Sequence, residues 1–120
     1  RDTRAESALT RPCGQSRTAT YANGIGANKS QVIERDASAA LATETDRVAQ
    51  AHDAGLLVHI WTMRNENNFL PRNFRIGKDK SAQGDAVAEY LAFFDAGVDG
   101  VFSDFTATAV LARAQWLARQ

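Results

Sequence analysis

Apolar positions in this chain fall into two alternating rhythms. Over residues 44–53 they follow a helix, with Val48, Ala51 and Ala54 recurring on one face. Thr43 or Thr45 can cap its start, and Glu44 and Asp46 in the first turn suit the helix dipole. Gly55 stands just past the helix, where a left-handed conformation costs glycine little. Residues 56–62 are then almost continuously apolar, the mark of a strand buried on both faces. The same order returns further on. Asp85 can cap a helix whose apolar face is Val87, Tyr90, Leu91 and Phe94; Gly97 closes it, and residues 98–105 follow as a strand. A last helix from about Thr108 is expected to bury Val110, Leu111, Ala114 and Leu117.

Ahead of these elements the pattern is weaker. Residues 1–20 are polar and aperiodic and read as loop; residues 21–28 read as a short strand running into a glycine-rich turn. Residues 31–33 extend that strand or begin another. Asp53-Ala54-Gly55-Leu56 and Asp95-Ala96-Gly97-Val98 form a local repeat, 42 residues from Gly55 to Gly97. A unit of an eight-fold barrel is about 30 residues, and the loop between Arg64 and Gly84 accounts for the excess. Strands alternating with helices imply a parallel sheet with right-handed crossovers. Two and a half such units are the end of a barrel or part of an open α/β sheet. Either leaves strand edges exposed, so the isolated chain is expected to be poorly stable.

Composition narrows the partners. The 120 residues hold 14 lysines and arginines against 14 aspartates and glutamates, so no bulk charge draws the chain to nucleic acid or an anionic membrane. Cys13 is the single cysteine, which excludes an internal disulfide and a cysteine zinc site. No apolar run approaches the roughly 18–20 residues of a membrane span. Arg1-Asp2-Thr3-Arg4 carries neither an initiator methionine nor a signal-peptide core, so the chain is expected to begin inside a longer protein.

In parallel α/β folds the chemistry lies at the carboxyl ends of the strands. Between Thr62 and Gly84 stand five cations, Arg64, Arg72, Arg75, Lys78 and Lys80, against Glu66 and Asp79. That excess suits an anionic substrate such as a phosphodiester; a solvated loop with incidental charge is the alternative. By strand parity Trp61 points to the same side as Leu57 and His59, which places it at a pocket mouth or on a core rim. His59 suits a hydrogen-bonded packing role better than catalysis, and His52 on its helix is expected to face solvent. Gly24-Ile25-Gly26 hints at a phosphate cradle, but Lys29 stands where the dinucleotide fingerprint needs glycine, and Asn23 and Asn28 break the P-loop pattern. Asn28-Lys29-Ser30 fits a glycosylation sequon. Asp104 is a pocket carboxylate, a residue beside a metal, or a helix cap.

Three ordered phrases resemble one family, the longer, secreted-type glycerophosphodiester phosphodiesterases. They are Tyr21-Ala-Asn-Gly-Ile-Gly-Ala-Asn-Lys29, Ala51-His-Asp-Ala-Gly-Leu-Leu-Val-His-Ile-Trp-Thr-Met-Arg-Asn-Glu-Asn67 with Phe69-Leu-Pro71, and Gly97-Val-Asp-Gly-Val-Phe-Ser-Asp-Phe105. The resemblance implies an α/β chain forming the C-terminal units of a (β/α)8 TIM barrel, incomplete here. It implies hydrolysis of glycerophosphodiesters to glycerol 3-phosphate and an alcohol. A divalent cation, calcium or magnesium, and a histidine pair would be carried by the full-length enzyme, in a periplasmic or secreted parent. The family's His-Arg dipeptide has no counterpart here, so no catalytic or metal residue is assigned. Trp61, Arg64 and Lys29 are carried over as substrate-binding residues, and the chain alone is expected to be inactive. The alternative is a non-catalytic remnant that binds a partner or self-associates through its open sheet edges. The resemblance lapses over residues 11–18, where Leu9 and Thr20 match an expected apolar helix but the middle is scrambled. A pair of compensating frameshifts between about Arg11 and Thr18 is the expected explanation. Reading the gene in its alternate frames is expected to restore an apolar helix there; finding none contradicts the explanation.

Overall fold

The computed structural model of the chain describes residues 24–120. The irregular reading of residues 1–20, Cys13 and the scrambled stretch lie outside the described residues. Five strands and three helices follow: β1 (Gly24–Asn28), β2 (Ile33–Arg35), β3 (Leu41–Glu44), α1 (Arg47–Asp53), β4 (Leu57–Met63), α2 (Ala86–Asp95), β5 (Gly100–Ser103) and α3 (Thr106–Ala118). Strands β1, β4 and β5 form one parallel sheet in that order, with Gly26 opposite His59 and His59 opposite Gly100. The sheet is not closed into a barrel by the described residues.

Side-chain alternation gives the sheet two unlike faces. Ile25, Ala27, Val58 and Ile60 are buried, in one core with Val48 and Ala51 of α1, Tyr90 and Phe93 of α2, and Ala112 of α3. Leu57, His59 and Trp61 point the other way beside Gly24, Gly26, Gly100 and Phe102. That face is open among the described residues: Leu57 is 49% exposed and Phe102 58%. Strand β4 is therefore buried on one face, not on both as its apolar run suggests. Continuous hydrophobicity marks a strand meant to be covered twice, and only one cover is described.

A helix-to-strand turn recurs where the local repeat places it. Gly55 and Gly97 both take positive φ, 79° and 96°, a conformation other residues adopt only under strain. Asp85 caps α2 by accepting from the Ala88 amide at 3.2 Å. The stripe that α2 buries is Ala86, Glu89, Tyr90 and Phe93, rotated by about one residue from the apolar face read in sequence. Phe94 instead turns to α3, where its ring meets Trp116 edge-on at 6.0 Å. Helix α3 starts two residues earlier than expected and fully buries Ala112 alone; Val110, Leu111, Ala114 and Leu117, expected in its buried face, are all exposed.

The antiparallel pair β2–β3 departs from strand–helix alternation. Asp36 closes its turn by accepting from the Ser38 amide and hydroxyl, at 2.8 and 2.6 Å, and from the Ala40 amide at 3.1 Å. Glu44, expected in a first helical turn, is thus the last residue of β3, and α1 begins three residues later. Asp46 makes no capping bond there. Thr45 holds the corner instead, accepting from the Arg47 amide and donating to the Gln31 carbonyl.

Candidate functional site

Three segments reach the carboxyl ends of the parallel strands: the short Lys29–Gln31 turn after β1, the loop after β4, and Asp104 after β5. Gly24-Ile25-Gly26 forms no cradle, because it is strand, paired along β4. The long loop is a built structure, not a solvated tail. It contains two single-turn helices, Asn67–Phe69 and Arg72–Phe74, and Glu66 bridges to Gln83. Asn67, 3% exposed, is its hub: the amide nitrogen donates to the carbonyls of Ile76 (2.7 Å) and Asp79 (2.9 Å), and its oxygen accepts from the Ile76 amide at 2.9 Å. Gly84 passes so near that a Cβ would run into the Asn67 amide oxygen and Leu70.

Two charge clusters stand on this rim. In the first, Arg64 grips Glu66 with Nε and NH2, at 3.2 and 2.8 Å, and reaches Asp104 with NH1 at 2.7 Å. Its guanidinium lies 4.8 Å from the Phe69 ring centre and 5.8 Å from that of Phe105. Asp104 is therefore an ion-pair partner, and α3 has no side-chain cap. Counting charges along the loop misses Asp104, which arrives from the next strand and leaves this cluster with two carboxylates to one cation.

The second cluster is buried. Glu89 of α2, fully inaccessible, accepts from Lys29 on both oxygens, at 3.0 and 3.1 Å, and from Arg35 NH2 at 3.2 Å. Arg35 NH2 also donates to the Phe69 carbonyl at 2.9 Å, with Lys29 Nζ at 3.5 Å from the same oxygen. Burial lowers the Lys29 ammonium below the usual lysine value, against the pull of Glu89, which favours the charge. The cluster carries two cations to one carboxylate. Beside it opens a cavity of 290 Å³ lined by Lys29, Arg35, Asn28, Thr62, Asn68 and the Phe69 ring.

The three expected binding residues thus lie along one rim in separate settings. Lys29 is in the buried cluster, and Arg64 is in the exposed one, joined to it through Phe69. Trp61 stands on the open face opposite Asn28, its indole 3.9 Å from where a Gly26 Cβ would sit. The Trp61–Thr62 peptide is cis. Both histidines lie away from the rim. His59 tilts against Phe102 at 6.3 Å, over Gly100. His52 does not simply face solvent: its Nε2 meets Asp99 at 2.7 Å, at the amino end of β5. Sequence reading missed Arg35 and Glu89. The available signal was that Glu89 shares the helical stripe of Ala86, Tyr90 and Phe93, where a carboxylate must find cations.

The described residues thus form a parallel α/β sheet with a cavity lined by Lys29 and Arg35 at the carboxyl ends of its strands. The model of the glycerophosphoryl diester phosphodiesterase family matches residues 4–108, and the chain belongs to that family. It is 40% identical over 87 residues to glycerophosphodiester phosphodiesterase GDPD6 of Arabidopsis thaliana, covering 72% of this chain and 21% of that protein. It is 38% identical over 93 residues to glycerophosphodiester phosphodiesterase GDPDL1, covering 75% and 11%. It is 36% identical over 93 residues to the protein SUPPRESSOR OF NPR1-1 CONSTITUTIVE 4, covering 75% and 8%; both of these are also from Arabidopsis thaliana. The chain therefore spans about a fifth or less of the length of these relatives. Among the described residues no helix is long and apolar enough to cross a membrane.

The family generally uses a divalent metal. The described residues do not fit one: no group of three or more histidine, cysteine or acidic side chains among them could hold an ion. Glu34-Arg35-Asp36 and Glu44-Thr45-Asp46 have a Glu-x-Asp spacing, but Asp36 is engaged in its turn and Asp46 accepts from Gln50 at 2.9 Å. The carboxylates of the two rim clusters, Glu66, Asp104 and Glu89, are held by arginine or lysine, and Asp79 by Ser81, so no step is assigned through a metal.

Arg64 makes the rim sensitive to acid. Its hydrogen bonds hold the Glu66 carboxyl below the ordinary glutamate value. A carboxylate with a lowered folded value stabilises the fold above its unfolded value, and that contribution is lost as pH falls through the lowered one. A carboxyl-carbon NMR titration is expected to put the Glu66 midpoint below the ordinary value of about 4.3, and to move it upward in Arg64→Gln. A wild-type midpoint at or above that value contradicts the pairing.

Proposed function

We propose that the chain forms the C-terminal units of a (β/α)8 barrel that hydrolyses glycerophosphodiesters to glycerol 3-phosphate and an alcohol. The open sheet face is the observation that carries this reading. Glycines at 24, 26 and 100 interleave with Leu57, His59, Trp61 and Phe102, a small-and-large alternation that suits the interior of a barrel. A flat surface exposed to water has no use for it. On this reading Trp61 borders the substrate at the pocket mouth, and Lys29 and Arg64, each held by carboxylates, stand along its wall. The calcium or magnesium ion and the acid–base histidines belong to units of the barrel other than these.

The reading is tested by turnover of glycerophosphocholine. The 120-residue chain alone is expected to show none. A protein carrying these residues within a whole barrel is expected to be active, and to lose about tenfold or more in kcat/KM with Trp61→Ala. Chelator-sensitive turnover by the isolated chain, or an intact barrel indifferent to Trp61, contradicts it. A second reading, a binding or self-associating module, is favoured by the unpaired outer edges of β1 and β5 among the described residues. A stable, concentration-dependent dimer of the isolated chain in sedimentation distinguishes it.

A further inference from the structure

The cavity beside Glu89 has two cations on its wall, and the hydrogen-bond geometry separates their roles. An ammonium has three donors. Those of Lys29 face both oxygens of Glu89 and the Phe69 carbonyl, at 3.0, 3.1 and 3.5 Å. Arg35 has five donors in a planar fork. Only NH2 is engaged, by Glu89 and the Phe69 carbonyl; Nε and NH1 make no hydrogen bond to a described residue. Arg35 lines the cavity with its side chain 26% exposed, against 14% for Lys29.

We propose that Arg35 is the residue that hydrogen-bonds a phosphate oxyanion in this cavity, with Glu89 and Lys29 as positioning residues behind it. The glycerol part of the ligand rests on the function proposed above; the oxyanion contact does not. Charge supports the assignment. Either cation alone neutralises Glu89, and the second leaves a net positive charge in a partly buried place, which costs desolvation unless an anion arrives. A guanidinium held through NH2 keeps Nε–H and NH1–H in a fixed plane, each free to donate a charge-assisted hydrogen bond to a phosphate oxygen. Asn28, Asn68 and Thr62 line the same cavity and give it further polar character for the rest of a small ligand. The β2–β3 pair gains a purpose as well: it interrupts strand–helix alternation and carries Arg35 to the rim.

The test is titration of the 15N-labelled 120-residue chain with glycerol 3-phosphate, with inorganic phosphate in parallel. The Arg35 Nε–H resonance is expected to shift and saturate with the binding curve. Arg35→Gln is expected to weaken binding at least tenfold. Arg35→Lys should weaken it several-fold, because an ammonium that holds Glu89 and the Phe69 carbonyl keeps one donor, where the guanidinium keeps Nε–H and both hydrogens of NH1. Lys29→Gln should weaken it less than Arg35→Gln. A resonance unmoved at saturation, a wild-type chain that binds neither ligand at tens of millimolar, or a folded Arg35→Gln within twofold of wild type overturns the proposal. The resonance shift needs no variant and so stands even if a substitution unfolds the chain. Equal affinity for both ligands, lost together in Arg35→Gln, sustains the oxyanion contact while counting against the glycerophosphodiester reading.

Discussion

The ion cluster around Glu89 is the constraint on which the rim depends. A carboxylate wholly removed from water is tolerable only when its charge is met and its oxygens accept hydrogen bonds. Meeting that need brings α2 onto the turn after β1 and the β2–β3 pair, with Lys29 and Arg35 lying 60 and 54 residues before Glu89. The same two cations hold the Phe69 carbonyl, which fixes the first turn of the long loop. Phe69 in turn offers its ring to Arg64. A single buried charge thus sets where the loop begins and where its arginine stands.

The open face follows a different physics. Its glycines and large apolar side chains are arranged for contact with something apolar, and the described residues leave them uncovered. The covered face has a complete core, so helices α1 and α2 are well defined by what they bury. Helix α3 is less so, with one fully buried residue and three exposed aliphatic ones. Family membership gives these loose ends a common explanation, since relatives of this chain are several times its length.

The alternation of strands and helices was legible because α1 and α2 each end at a glycine that leads into the next strand. Gly55 and Gly97 mark those boundaries without help from tertiary contacts. The β2–β3 pair was not legible. Its strands are short and polar, and its turn is set by Asp36 hydrogen bonds that no hydrophobic period reveals. The α2 face was misread by about one residue because Leu91 and Phe94 are as apolar as Phe93, and only packing separates them. At the site, sequence placed Lys29, Trp61 and Arg64 on one rim. It could not see that Asp104 offsets Arg64 across 40 residues, or that Glu89 draws in Lys29 and Arg35 across 60 and 54.

The dependence of the rim on Glu89 is measured most directly by Glu89→Gln in the 120-residue chain, followed by denaturant unfolding and amide hydrogen exchange. Removing one side of a buried ion pair costs about 3 kcal/mol or more, and exchange is expected to quicken at Leu70, Ile76 and Gly84, beyond the helix that carries the substitution. A loss under about 0.5 kcal/mol, the scale of a surface substitution, with loop exchange unchanged, would contradict the central place given to this carboxylate.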